Sequence, residues 1–117
     1  MNIEELRDYC LGKPGVSEGF PFGEETLVFK VGDKIFLLTS LGENRFNVKC
    51  DPEHAVELRE QHDDVKPGFH MNKKHWNTVH TDGALTNKQL CDMIDHSYNL
   101  VLGSLPKKQQ AEIAALD

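Results

Sequence analysis

Arg45-Phe46-Asn47-Val48-Lys49-Cys50-Asp51-Pro52 is where the chain changes period. Up to Cys50, apolar and polar residues alternate one for one. Phe46, Val48 and Cys50 therefore share one side of an extended strand, with Arg45, Asn47 and Lys49 on the other. Asp51-Pro52 then opens a helix, because a carboxylate at the cap accepts from orphan N–H groups and proline loses nothing at the first helical position. Ala55, Val56, Leu58 and Arg59 carry that helix to about His62.

Working back from this junction, Gly42-Glu43-Asn44 is a turn and Ile35 to Thr39 a nearly continuous apolar run, the pattern of a central strand. Gly32-Asp33 is a second turn, preceded by Leu27, Phe29 and Val31 alternating with Val28 and Lys30. The three strands form a meander. Residues 16–25, with Gly19, Pro21 and Gly23, read as a loop. Asn2 with Glu5 forms a capping pair for a first helix that places Ile3, Leu6 and Cys10 on one face and stops at Gly12, Pro14 and Gly15.

Working forward, Pro67-Gly68 forces a break, so Val65-Lys66 is an approach strand and His75 to Thr81 a longer one, ended by the Asp82-Gly83 turn. Thr86 with Gln89 repeats the capping box ahead of a long amphipathic helix carrying Leu90, Met93, Ile94, Tyr98 (or Ser97), Val101 and Leu102. Pro106 opens a short final helix through Leu116. The principal order is α-β-β-β-α-β-β-α. It predicts an α+β fold, a two-layer domain with an antiparallel sheet and helices on one face, spanning residues 1–117 as one unit.

With 117 residues, 38% of them hydrophobic and 27% charged, the chain can bury a core without metal or disulfide staples. Cys10, Cys50 and Cys91 are far apart and form no Cys-x-x-Cys pair, which reads as buried thiols in a reducing compartment. No apolar run approaches the roughly 20 residues of a membrane span. Met1-Asn2-Ile3-Glu4-Glu5 lacks the basic start of a secretion signal. A cytoplasmic protein with no membrane partner is expected.

Charge divides along the chain. Residues 26–50 and 65–81 hold seven Lys/Arg (Lys30, Lys34, Arg45, Lys49, Lys66, Lys73, Lys74) against Asp33 and Glu43, a local +5 in a chain of net charge -6. If Leu27, Phe29, Phe46 and Val48 face the helices, Lys30, Arg45 and Lys49 must face away from them. Such a face suits an anionic partner, although cations on an exposed strand also serve to keep a sheet soluble.

The segment Val65 to His80 contains the single tryptophan, three histidines, three lysines and no acid. His75 and His80, an odd number apart on a strand, fall on opposite faces and cannot share an ion, so no metal site or cofactor is expected. Neither a Gly-x-Ser-x-Gly elbow nor a phosphate-cradling glycine loop occurs, and a non-enzymatic domain is expected. Within the segment, Lys66, Lys73 and Lys74 offer phosphate-directed charge and Arg45 a planar fork. Trp76 or Phe69 offers a ring to stack a base, and Asn72 or Asn77 an amide for a base edge. Against this, a lone tryptophan in a small domain is more often a core or half-buried packing residue, and an Asn such as Asn72 more often a turn residue bonding its own backbone.

Pro67-Gly68-Phe69-His70-Met71-Asn72-Lys73-Lys74-His75-Trp76 resembles the signature of the MmcQ/YjbR family. Tyr9-Cys10-Leu11-Gly12-Lys13-Pro14-Gly15 is similar to that family's opening segment, and the spacing of Asn44-Arg45, Gln61-His62-Asp63-Asp64-Val65 and Asp82-Gly83 fits as well. The resemblance implies a two-layer domain of the secretion-chaperone-like or frataxin-like (CyaY-like) kind. It also implies DNA binding, through the likeness of the sheet to a double-wing module. It brings no assigned catalytic residue. Together with the charge pattern it points to nucleic acid held by Lys30, Arg45, Lys49, Lys66, Asn72, Lys73, Lys74 and Trp76. The alternative is a protein- or peptide-binding adaptor, monomeric or weakly dimeric, using the same face.

Overall fold

Helix α1 (Ile3–Leu11) begins where Asn2 caps it: the Asn2 side chain accepts from Glu5 N–H at 2.8 Å, and the Glu5 carboxylate accepts from Asn2 N–H at 3.2 Å. The computed structural model describes residues 1–116. Helix α2 (Pro52–Gln61) is capped by the Asp51 carboxylate, and α3 (Asn87–Gly103) by a second capping box from Thr86 and Gln89. A short α4 (Lys107–Ala114) follows Pro106.

Six strands form one sheet: β1 (Val16–Gly19), β2 (Thr26–Val31), β3 (Lys34–Ser40), β4 (Arg45–Lys49), β5 (Val65–Pro67) and β6 (Trp76–His80). Their order is β1-β2-β3-β4-β6-β5, and every neighbouring pair is antiparallel. The α+β class expected from the sequence holds, with one strand more than the pattern shows. β1 lies in a stretch read as loop. Its four residues, between Gly15 and the Pro21 region, carry no apolar alternation, and their order comes from pairing with the edge of β2, from Val16↔Val31 to Gly19↔Val28.

Register decides the faces. Leu27, Phe29, Leu37, Phe46, Val48, Val65 and Val79 lie on the side covered by the helices and belong to a single core with Leu90, Met93, Ile94 and Val101 of α3. Phe29, Phe36 and Phe46 are fully buried, each contributing about 2–3 kcal/mol of hydrophobic stabilisation. Among the described residues no helix packs on the opposite, open face, although Val28, Leu38 and Thr78 on it are themselves buried.

A bulge sits at the centre. The β2–β3 register steps from Phe29↔Leu37 to Lys30↔Ile35, leaving Phe36 as the extra residue. Phe36 turns into the core, edge-on to Tyr98 with ring centroids 5.5 Å apart. Its freed carbonyl accepts from the Ser97 hydroxyl, whose oxygen accepts in turn from Lys49 N–H at 2.8 Å. Ser97 is fully buried, so one hydroxyl satisfies two backbone groups that water cannot reach. Ser97→Ala leaves both unsatisfied and is expected to cost about 2–3 kcal/mol. The check is a lowered urea midpoint at unchanged m-value.

Candidate functional site

The ten-residue signature segment is the connection from β5 to β6, and most of its polar groups are spent on closing it. Gly68 N–H donates to the Trp76 carbonyl at 2.9 Å, Lys74 N–H to the Asn72 side-chain oxygen at 2.9 Å, and the Lys73 ammonium to the Gly68 carbonyl at 3.1 Å. Phe69 N–H donates to the Thr78 hydroxyl at 2.9 Å, that hydroxyl donates to the Asn47 side chain, and Asn47 Nδ2 reaches back to the Phe69 carbonyl. The loop is thereby pinned onto the open face. Gly68 has to be glycine at this point: a Cβ there would lie 2.8 Å from Trp76 Cβ and 2.9 Å from the Trp76 carbonyl oxygen. His70 adopts φ 59°, an unusual conformation for a residue with a Cβ, and stacks obliquely on Phe69 with centroids 4.0 Å apart.

The structure places the eight candidate residues unequally. Lys30, Arg45, Lys49, Lys66 and Trp76 all occupy open-face strand positions by register, Trp76 directly opposite Lys49 and Lys66 beside Thr78. Among the described residues, no acid occupies an open-face strand position. Arg45 is nonetheless paired with Glu43 of the preceding turn at 2.8 Å, and its guanidinium lies 4.7 Å from the Phe69 ring centroid. Asn72 and Lys73 are engaged in the loop itself, and Lys74 borders a shallow hollow with Glu53 and Glu57 of α2. Asn77, weighed above as a base-edge amide, is 1% exposed and on the helical face. Its Oδ1 accepts from Arg59 Nε at 2.7 Å, and its Nδ2 donates to the Ala55 carbonyl. The alternation that puts Val79 inward puts Asn77 inward too, a signal present in the sequence.

Three aromatic rings complete the face. Phe20, Phe22 and Phe69 are 48%, 64% and 49% exposed. Phe22 and Phe69 flank a groove of about 510 Å³ over Leu38, Ser40 and Asn47, and Phe20 stands beside Val28 and Lys30. Sequence reasoning passed over Phe20 and Phe22. Two phenylalanines around Pro21, in a stretch with no strand or helix period, had no core position to fill, and that was the available signal.

The other strings on which the family resemblance rests have structural roles. Tyr9 OH donates to Asp95 at 2.7 Å, Lys13 ion-pairs with the same carboxylate, and Tyr98 OH donates to the Pro14 carbonyl at 2.6 Å, tying the end of α1 to α3. Burial and the Asp95 contact push the Tyr9 hydroxyl pKa up, and burial takes the Cys10 thiol up to about 12. Asp64 accepts from Ala84 N–H at 2.8 Å and fills the space beside Gly83 that a side chain would need. Among the described residues, no three His, Cys, Asp or Glu side chains converge on a point that could hold a metal ion.

On the helical side a second concavity lies between α2 and α3. His54 meets His96 edge-on with centroids 5.2 Å apart, and His96 Nε2 accepts from Asp51 N–H at 3.2 Å. Burial, and then His54, hold the His96 pKa below its ordinary 6.5.

The YjbR family model matches residues 11–100, a span running from the end of α1 through most of α3. The chain belongs to the YjbR family. It is 37% identical over 118 residues to the uncharacterized protein YjbR of Escherichia coli K12, covering 99% of this chain and 100% of that protein. It is 38% identical to YbdF of Escherichia coli O157:H7 over 94% of this chain and 92% of the relative. The crystal structure of Deinococcus radiodurans DR2400, a DUF419 domain, superposes with a TM-score of 0.91 at 38% identity, covering 97% of this chain and 88% of that one. A Pseudomonas syringae protein superposes at 0.75 and 28% identity, over 86% and 99%. Within the matched span, the 67–76 loop is closed by its own backbone and leaves Phe69 and His70 exposed.

Two outcomes follow from this geometry. Gly68→Ala is expected to destabilise the fold by about 1–3 kcal/mol, because the added methyl meets backbone as well as Trp76; urea denaturation followed by Trp76 fluorescence measures it. For His96, the unfolded chain takes up a proton near pH 6.5 while the folded chain resists until lower pH. The associated stability is present above 6.5 and declines as pH falls below it. His96→Gln is expected to show a shallower loss of stability than the parent protein between pH 7 and its lowered folded pKa, in paired urea titrations.

Proposed function

We propose that the open sheet face is a non-enzymatic binding surface for nucleic acid, with single strands preferred to duplex. The supporting observation is the interleaving on one face of Phe20, Phe22, Phe69 and Trp76 with Lys30, Arg45, Lys49 and Lys66. Rings on which unpaired bases stack, set among cations that meet phosphates, are the general means of holding a single strand. A duplex hides its base faces and would leave the phenylalanines without partners. The groove between Phe22 and Phe69 is the place for one splayed base, with Asn47 and Ser40 on its floor. DNA binding through a double-wing-like use of the sheet is the reading to which the family resemblance also leads.

One observation favours a second reading. The Glu43 carboxylate already neutralises Arg45, which leaves the groove largely apolar and suits a protein segment seated between the two phenylalanines. Salt separates the two. A labelled single strand of about ten nucleotides is expected to bind in a low-salt polarisation titration, with log affinity falling against log salt by about 0.7 for each phosphate contact. Phe69→Ala is expected to weaken it by about 1–3 kcal/mol. Lys49→Glu should lower both the affinity and the salt slope. Absence of binding to single strand and duplex alike at low salt removes the nucleic-acid reading, and salt-insensitive capture of a peptide supports the adaptor.

A further inference from the structure

The concavity between α2 and α3 is on the opposite side of the sheet from the proposed nucleic-acid face and plays no part in it. It measures about 200 Å³. Val48, Cys50 and Val79 form its floor, Leu58 of α2 and Met93 of α3 its walls, and the imidazoles of His54, His62 and His96 its mouth. The lining is almost entirely carbon and sulfur. Both polar atoms of the neighbouring Asn77 are engaged, by Arg59 and by the Ala55 carbonyl. Asp92 on the rim is held by Lys88 at 3.1 Å, and strand register sends the Lys49 side chain to the other face.

Among the described lining residues, no carboxylate or ammonium group therefore points unpaired into this space. Cys50 is buried and its thiol is pushed up to about 11, so it stays protonated at neutral pH. His96 accepts from Asp51 N–H through Nε2, which places the ring proton on Nδ1 and keeps the imidazole neutral. A charged ligand would lose its water here without compensation. Size narrows the class further: an apolar cavity of about 150 Å³ takes up benzene, so this one accommodates a substituted ring or a compact bicycle.

We infer that the α2–α3 cleft is a binding site for a small uncharged aromatic molecule, its ring on Val48, Cys50 and Val79 and one polar substituent directed to the histidine mouth. Pockets with an apolar body and a few polar groups at one end take ligands in this way. The inference is independent of nucleic-acid binding, and each can fail alone.

The test is a methyl and amide NMR titration of the full chain with indole and with phenol, against benzoate as the charged comparison. Saturable shifts are expected at the methyl groups of Val48, Leu58, Val79 and Met93 for the two neutral rings, much weaker for benzoate, with a rise in Tm. Leu58→Trp fills the cleft and is expected to abolish those shifts while the remaining spectrum stays folded. Cys50→Leu narrows the same space from below if Leu58→Trp does not fold. Shifts absent up to the solubility of both neutral probes, undiminished by either filling variant, equally strong with benzoate, or centred on Phe22 and Phe69 would overturn the inference.

Discussion

A one-residue slip of Phe46 against Val79 would turn the apolar side of β4 and β6 to water, and that penalty arranges everything on the opposite face. Because Phe46, Val48 and Val79 must lie under α3, Arg45, Lys49, Trp76 and Thr78 are obliged to point outward. The core thus acts at a distance on the candidate site. From beneath the sheet it fixes which side chains a ligand on the open face can meet. Ser97 protects the same register where the ladder is interrupted, since the bulge at Phe36 frees a carbonyl that the Ser97 hydroxyl satisfies.

The two sides of the sheet follow different chemistry. Among the described residues, the open side has cations and rings at its strand positions and no acid there, whereas nine of the chain's nineteen Asp and Glu residues lie within helices α1 to α4. A net charge of -6 therefore says little about the field over the open face, because at a Debye length of about 8 Å only nearby groups are felt. Arg45 tempers this asymmetry. Its pairing with Glu43 withdraws one cation, and its contact with Phe69 makes it part of the groove wall.

The signature loop is closed by its own backbone to a degree that a string of Asn, Lys and His does not suggest. Asn72 and Lys73 bond within the loop, and Arg59 of α2 anchors it by reaching the Lys73 carbonyl and Asn77. What these bonds hold in place is His70 at positive φ, a conformation that costs on the order of 1 kcal/mol and turns the Phe69–His70 pair toward solvent. Strain maintained by surrounding bonds next to an exposed aromatic is the pattern of a presented group. The fold that carries this loop is shared with the Deinococcus radiodurans DUF419 structure, which superposes over 97% of the chain at 38% identity.

Helix starts, the meander and the inward phase of β4 were legible in the residues alone, because each depends on neighbours within a few positions. Asn2 with Glu5, Asp51-Pro52 and Thr86 with Gln89 cap as written, and the burial of Phe46 and Val48 follows from period two. The outward direction of Lys30, Arg45 and Lys49 followed from the same alternation. Tertiary structure decided the rest. β1 exists because β2 offers it an edge, Lys74 turns toward α2, and Asn77 is consumed by Arg59 eighteen residues earlier in the chain. Local periodicity specifies which side of an element is buried; only the docking of distant elements specifies which polar groups remain free, since that depends on partners brought together by the fold.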